Sequence, residues 1–197
     1  MAGALYHRER LVHLTIALPP PNTLENLRGA VKMIFRAVRR RYRDQGVIAY
    51  RAAWVWEDGH PHAHILTNMP YVSQKWLYKR LAAYLETPAH VNIKRIPTDD
   101  RKEMIKRVGY LSQYMANQAP GSLVHYSHSD DWLPAGYEDE WRSILDGLRA
   151  AHGLNILEAP EWRAAAVLAM DDWIEEQRRA RQQTALVGGL SSRVGNA

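Results

Sequence analysis

The hydrophobic period of this chain switches between two and about 3.6 residues in a set order, and that order limits the folds open to it. Leu11 to Leu18 alternates, with Val12, Leu14 and Ile16 set against His13, Thr15 and Ala17. Pro19-Pro20-Pro21 ends the run, because proline has no N–H to give to a sheet ladder. Asn22 or Thr23 can cap the helix that follows, from about Leu24 to Asp44. Its apolar stripe is Leu27, Val31, Ile34, Phe35 and Val38; arginines crowd its last turns and Gly46 stops it. Val47 to Glu57, rich in β-branched and aromatic residues, reads as a second strand. Asp58-Gly59-His60-Pro61 turns the chain and His62 to Asn68 returns. A helix over about Val72 to Glu86 carries Trp76, Leu77 and Leu81 on one side, and His90 to Ile96 alternates again.

Strand, helix, strand, strand, helix, strand is the α+β ferredoxin-like, or RRM-like, βαββαβ plan. That plan sets the first and third strands side by side in an antiparallel sheet with both helices on one face. Side chains alternate across a strand, so Val12, Leu14, Ile16, Ala63 and Ile65 are expected to face the helices. His13, Thr15, His62 and His64 are then expected on the open face.

The chain continues with a helix from about Asp99 to Asn117, where Asp100 and Glu103 resemble a capping box. Met104, Val108, Leu111 and Met115 form its apolar stripe, and Tyr110 and Tyr114 sit one turn apart on another side. A short strand is expected over Leu123 to Tyr126 and a helix over Glu138 to His152. A last helix opens at Pro160, has Trp162, Ala166 and Trp173 on one side, and ends at Arg178-Arg179-Ala180-Arg181. The expected division is a sheet-bearing domain over 1–133, a helical extension over 134–183 and a flexible tail over 184–197.

Charge follows that division. Residues 1–120 hold 19 Lys and Arg against 9 Asp and Glu, a net of +10; residues 121–197 hold 7 against 12, a net of −5. A basic first part points to a polyanion partner. The acidic remainder fits a protein contact or a solvated face. Cysteine is absent, which removes disulfides, thiolate metal sites and cysteine nucleophiles. No apolar run spans a membrane, and Met1 to Arg10 does not read as a signal peptide, so a cytoplasmic protein is expected.

The chemistry concentrates at Gly59-His60-Pro61-His62-Ala63-His64-Ile65-Leu66. Two imidazoles on one strand face form a bidentate grip for a divalent metal. A histidine-rich hairpin tip that binds nothing is the plain alternative. His13 fits a hydrogen-bonding strand residue as well as a site residue, and Arg39, Arg40 and Arg41 fit a solvated helix end as well as a phosphate-contacting patch.

Three stretches occur in order: Leu11-Val12-His13-Leu14-Thr15, His62-Ala63-His64 and Tyr110-Leu111-Ser112-Gln113-Tyr114. Together, over roughly residues 8–130, they resemble the HUH endonuclease superfamily, and within it the rolling-circle replication initiator (Rep) proteins. The first motif there is hydrophobic with a threonine, the second is His-hydrophobic-His, and the third is Tyr-x-x-Lys, sometimes with a second tyrosine. The resemblance implies a metal-dependent, site-specific endonuclease and ligase for single-stranded DNA, forming a 5′-phosphotyrosine intermediate at the origin of a plasmid or virus. It implies a divalent ion, Mn2+ or Mg2+, on His62 and His64, with Tyr110 or Tyr114 as nucleophile. Gln113 stands where the family has lysine, so Lys106 and Arg107, one turn before Tyr110, are candidates for the missing charge. Glu57 is the carboxylate of suitable parity for a third ligand. His13, Thr15, Lys106, Arg107, Arg39, Arg40 and Arg41 are candidate DNA contacts.

The chain has no Gly-x-x-x-x-Gly-Lys-Ser/Thr run, so the resemblance also implies a helicase borrowed from a bacterial or archaeal host cell. The C-terminal helices are candidates for recruiting it or for pairing two copies. Two other readings remain open. One is a transposase or mobilisation relaxase of the same superfamily, although relaxases carry a third histidine in the second motif and none follows His64 nearby. The other is a non-catalytic RNA- or DNA-binding module on the same sheet, which would place aromatics where this chain has His13, Thr15, His62 and His64.

Overall fold

The computed structural model describes all residues except 1, 58, 86, 117–122, 153–159 and 195–197; within the ordered elements, the side chains of 110–116, 123–124, 152, 160–163 and 185–194 lie outside the description. The elements are α1 (Ala2–Tyr6), β1 (Leu11–Ala17), α2 (Leu24–Arg41), β2 (Tyr50–Glu57), β3 (His60–Thr67), α3 (Gln74–Leu85), β4 (His90–Ile96), α4 (Arg101–Ala116), β5 (Leu123–His128), α5 (Tyr137–His152) and α6 (Pro160–Val194). The chain forms two compact units, one of residues 7–132 and one of Ala2–Tyr6 with residues from 133 onward.

In the first unit the strands make an antiparallel sheet in the order β4-β1-β3-β2-β5. The inner four strands follow the ferredoxin-like order, and β5 is added outside β2. The first three strands' apolar parity holds: Leu14 pairs with Ile65 and Ile16 with Ala63. These side chains join Leu27, Ile34 and Phe35 of α2 and Leu77 and Leu81 of α3 in one buried core. Thr23 caps α2, its side chain accepting from the Asn26 N–H while Asn26 answers through its own side chain. Asp100 caps α4 by accepting from the Lys102 and Glu103 N–H groups. The expected reciprocal half is replaced: the Glu103 carboxylate takes the Arg107 guanidinium at 2.8 Å.

The hairpin is tighter than the sequence pattern suggests. Glu57 pairs with His60 and Trp56 with Pro61, and Gly59 turns the chain at φ +76°. Pro61 therefore lies inside β3 and not in the turn. Its position next to the strand's first residue is where the missing N–H is tolerated, and its carbonyl accepts from the Leu18 N–H at 2.9 Å.

In the second unit α6 packs against α1 and α5. Ala166, Met170 and Ile174, spaced at four, are buried on α6. Ala166 lies on the expected apolar side, and Ile174 takes the place expected of its neighbour Trp173. Arg181 donates to the Tyr6 carbonyl at 3.0 Å and lies 4.4 Å over its ring. The helix runs to Val194, which corrects the expected end at the arginine run. Its two adjacent glycines do not stop it, because each costs only about 1 kcal/mol in a helix. The short α1, too brief to show a period, has no clear signal in the sequence.

Candidate functional site

The register fixes what shares the open face of the sheet. Across β4, β1, β3, β2 and β5, the rows Asn92–Thr15–His64–Ala53–Tyr126 and His90–Ala17–His62–Val55 run side by side, with His13 beside Lys94 and Leu66. His13, Thr15, His62 and His64 therefore do lie on one face. That face is not uniformly polar: Ala53, Val55 and Leu66 are buried there. Met104 and Val108 of α4 are buried as well.

The closest nitrogens are not the pair the sequence singles out. His13 Nε2 and His64 Nδ1 stand 3.3 Å apart, diagonal neighbours across β1 and β3, with their rings stacked at a centroid separation of 5.5 Å. Thr15 Oγ1 is 3.4 Å from the first and 3.5 Å from the second. His62 meets His64 edge-on, ring centroids 5.4 Å apart, and its Nδ1 is 3.4 Å from the His60 carbonyl. The close approach is thus across two strands more than along one.

Burial pushes His13 down to about 4, helped by the charge of Lys94. Burial also pushes His64 down to about 4, with His13 and His62 adding to the effect. Both imidazoles are neutral at pH 7, the form that ligates a metal. One N–H···N hydrogen bond can join two neutral rings. An octahedral ion with bonds of about 2.1 Å holds adjacent donors roughly 3.0 Å apart, so the His13, His64 and Thr15 atoms, at 3.3 to 3.5 Å, form a triangle that a small side-chain movement brings to size. The donor set fits a divalent ion, with the two nitrogens as the strong ligands and the hydroxyl as a weak one.

Glu57 does not complete that set. It pairs with His60 at the hairpin end, two residues beyond Val55, the partner of His62. The β2 positions directly beside the two histidines are Ala53 and Val55, neither of which can ligate. Among the described residues, no three His, Asp or Glu side chains converge as a ligand group.

The other predicted residues scatter. Tyr110, Gln113 and Tyr114 belong to α4, and their side chains lie outside the described ones. Lys106 and Arg107 are exposed on the same helix, and Arg107 is engaged by Glu103. Arg39, Arg40 and Arg41 end α2 in the helical layer, on the opposite side of the sheet from the histidines. Arg39 donates to the Ile48 carbonyl at 2.9 Å, and Arg41 lies 5.5 Å over the rings of Tyr42 and Trp76. They cannot share a contact with His13 or His64 because the sheet intervenes.

Lys94 and Asn92 of β4 share the histidine face without having been singled out. The alternation of His90 to Ile96 carried the signal, since burying Val91 and Ile93 must turn Asn92 and Lys94 outward. Arg51 lies 5.6 Å over Tyr126 on the same face. Among the described residues, no helix is long and apolar enough to cross a membrane.

No family model matches the chain, and no curated protein matches it. Among solved structures it is similar to the crystal structure of the hypothetical protein ORF119 from Sulfolobus islandicus rod-shaped virus 1, with 12% identity, a TM-score of 0.39, and coverage of 60% of this chain and 96% of that chain. A likeness of that degree says nothing about what this chain does.

Proposed function

We infer that the chain is a metal-dependent endonuclease and strand-transfer enzyme for single-stranded DNA, working through a tyrosine of α4 in the manner of HUH replication initiators. The observation that carries this reading is the His13–His64–Thr15 triangle on the open face of a ferredoxin-like sheet. It is a site for a hard-to-protonate nitrogen pair, where an RNA-binding sheet would present aromatic rings. A divalent ion held there would withdraw charge from the scissile phosphate. His13 and His64 hold it as neutral ligands, and His62 borders it. Lys94, exposed beside His13, supplies the positive charge that the third motif lost with Gln113.

In the reaction, Tyr110 or Tyr114 Oη attacks phosphorus, the bond to the 3′ oxygen breaks, and the phenolic proton passes by way of solvent to the released 3′-hydroxyl. The phosphodiester bond is exchanged for a phosphotyrosine bond, so no energy source is consumed and the step reverses. The basic charge of residues 1–120 suits the substrate. Rolling-circle initiation of a plasmid or virus is the role this chemistry serves best.

The test is formation of a covalent protein–DNA band on a denaturing gel with Mn2+, using a pool of single-stranded sequences. Tyr110→Phe or Tyr114→Phe should remove or halve it. A band indifferent to both substitutions would reject the tyrosine mechanism, and nucleic-acid binding without any band would leave only a binding module.

A further inference from the structure

On the other face of the sheet, α2 and α3 roof the inner strands, whereas β5 extends beyond them. The step leaves a trough of about 430 Å3 between the flank of α2 and the β2–β5 edge. One wall is a ridge of cations, Arg28, Lys32, Arg36 and Arg39, spaced at four, four and three residues along α2. At 1.5 Å per residue the ridge is about 16 Å long, the span of several phosphates along a strand. The floor is Trp54 and Ser127. Trp54 is only 5% exposed, so it offers no stacking platform. Its Nε1–H donates to Ser127 Oγ at 2.8 Å, which leaves the serine O–H to donate into the trough. Arg28 is anchored 5.7 Å over the Trp54 ring, and Arg39 is held by the Ile48 carbonyl. No acidic residue lines the trough. Among the described residues, Arg28, Lys32 and Arg36 form no ion pair.

We propose that this trough is a second nucleic-acid site, which grips the sugar-phosphate backbone of a strand segment flanking the one on the histidine face. Four cations and a hydroxyl donor recognise phosphates more than bases, and Tyr126 is the exposed ring at the trough's rim, so the grip depends little on sequence. Continuity favours a single occupant. β5 is a sheet edge, and its described side chains, 125–128, are exposed on both faces. Arg51 and Tyr126 line its histidine side and the trough its other side, so a strand passes from one to the other around one β-strand's width. An acidic peptide matches the charge but has no counterpart to that path. The identity of the occupant rests on the nucleic-acid reading above; the existence of an anion groove does not.

The test measures binding of labelled single-stranded DNA, in two unrelated sequences, to the full chain in chelator by fluorescence anisotropy across salt. Three lost phosphate contacts should lower the slope of log affinity against log salt by about 2 in Arg28→Gln/Lys32→Gln/Arg36→Gln. Affinity near 0.1 M salt should fall roughly tenfold to a hundredfold, equally for both sequences. The thermal midpoint should stay put, because all three side chains are exposed; if the triple variant does not fold, Lys32→Glu must weaken binding in the same direction. Unchanged slope and affinity overturn the proposal, as does polyglutamate displacing DNA at equal charge concentration. Metal-dependent cleavage is assayed in parallel. A chain that never cleaves, yet loses binding in the triple variant, keeps the trough and loses the endonuclease. A chain that cleaves while the triple variant binds like the parent does the reverse.

Discussion

Replacing His13 by glutamine should change how stability depends on pH more than it changes stability at pH 7. In the folded chain His13 is held at about 4 by burial and by Lys94; unfolded, it returns to about 6.5. The unfolded state therefore takes up the proton first. The stabilisation is complete above pH 6.5, is lost as pH falls from 6.5 toward 4, and has gone below that. For one such ring the full linkage between pH 7 and pH 5 is about 1.8 kcal/mol. Part of the ring still meets water, which screens the effect and leaves about 1 kcal/mol. Glutamine keeps a hydrogen-bonding group near His64 and removes the titration. Urea unfolding in chelator at pH 7, 6 and 5 should show the parent losing about 1 kcal/mol more than His13→Gln over that range. Parallel losses, or a steeper loss in the variant, would refute a buried neutral His13.

The same depressed rings govern metal binding. Between pH 7 and 5.5 the affinity for Mn2+ should change less than about twofold, whereas two ordinary imidazoles would lose about 70-fold by protonation; calorimetric titration separates the two, and the larger loss would reject His13 and His64 as the ligands. Lys94→Gln should lower the cleavage rate while leaving the thermal midpoint unchanged, and an undiminished rate would return the role to Lys106 or Arg107. Leu14→Ala, at a fully buried site of β1, should cost about 2–5 kcal/mol by urea unfolding, and a cost below about 1 kcal/mol would contradict the packing of β1 against α2.

Much of the sheet was legible because its signals are local. Val12, Leu14 and Ile16 alternate, the stripe from Leu27 to Val38 does not, and Asp58-Gly59-His60-Pro61 marks a turn between two strands. Those three facts already place His13, Thr15, His62 and His64 on one face. What the residues did not disclose depends on register. The pairing of Glu57 with His60 moves that carboxylate away from the histidines. The diagonal of His13 and His64 arises from Thr15 lying opposite His64. Neither offset appears in a sequence pattern that gives parity alone. The sorting of the arginines was hidden for a similar reason. Arg39 and Arg41 are two residues and about 200° apart on α2, so one joins the β5 trough and the other turns to Trp76.

The central claim is a tyrosine transesterification at a site built on His13 and His64. Its most direct test labels single-stranded DNA at either its 5′ or its 3′ end and incubates each with the protein, in Mn2+ and in chelator. Only the 3′-labelled fragment should become covalently attached, because the tyrosine keeps the 5′ phosphate of the downstream piece; attachment should need the ion and be lost in the His13→Ala/His64→Ala variant. Attachment of the 5′-labelled fragment, attachment in chelator, or full attachment by that variant would contradict the claim.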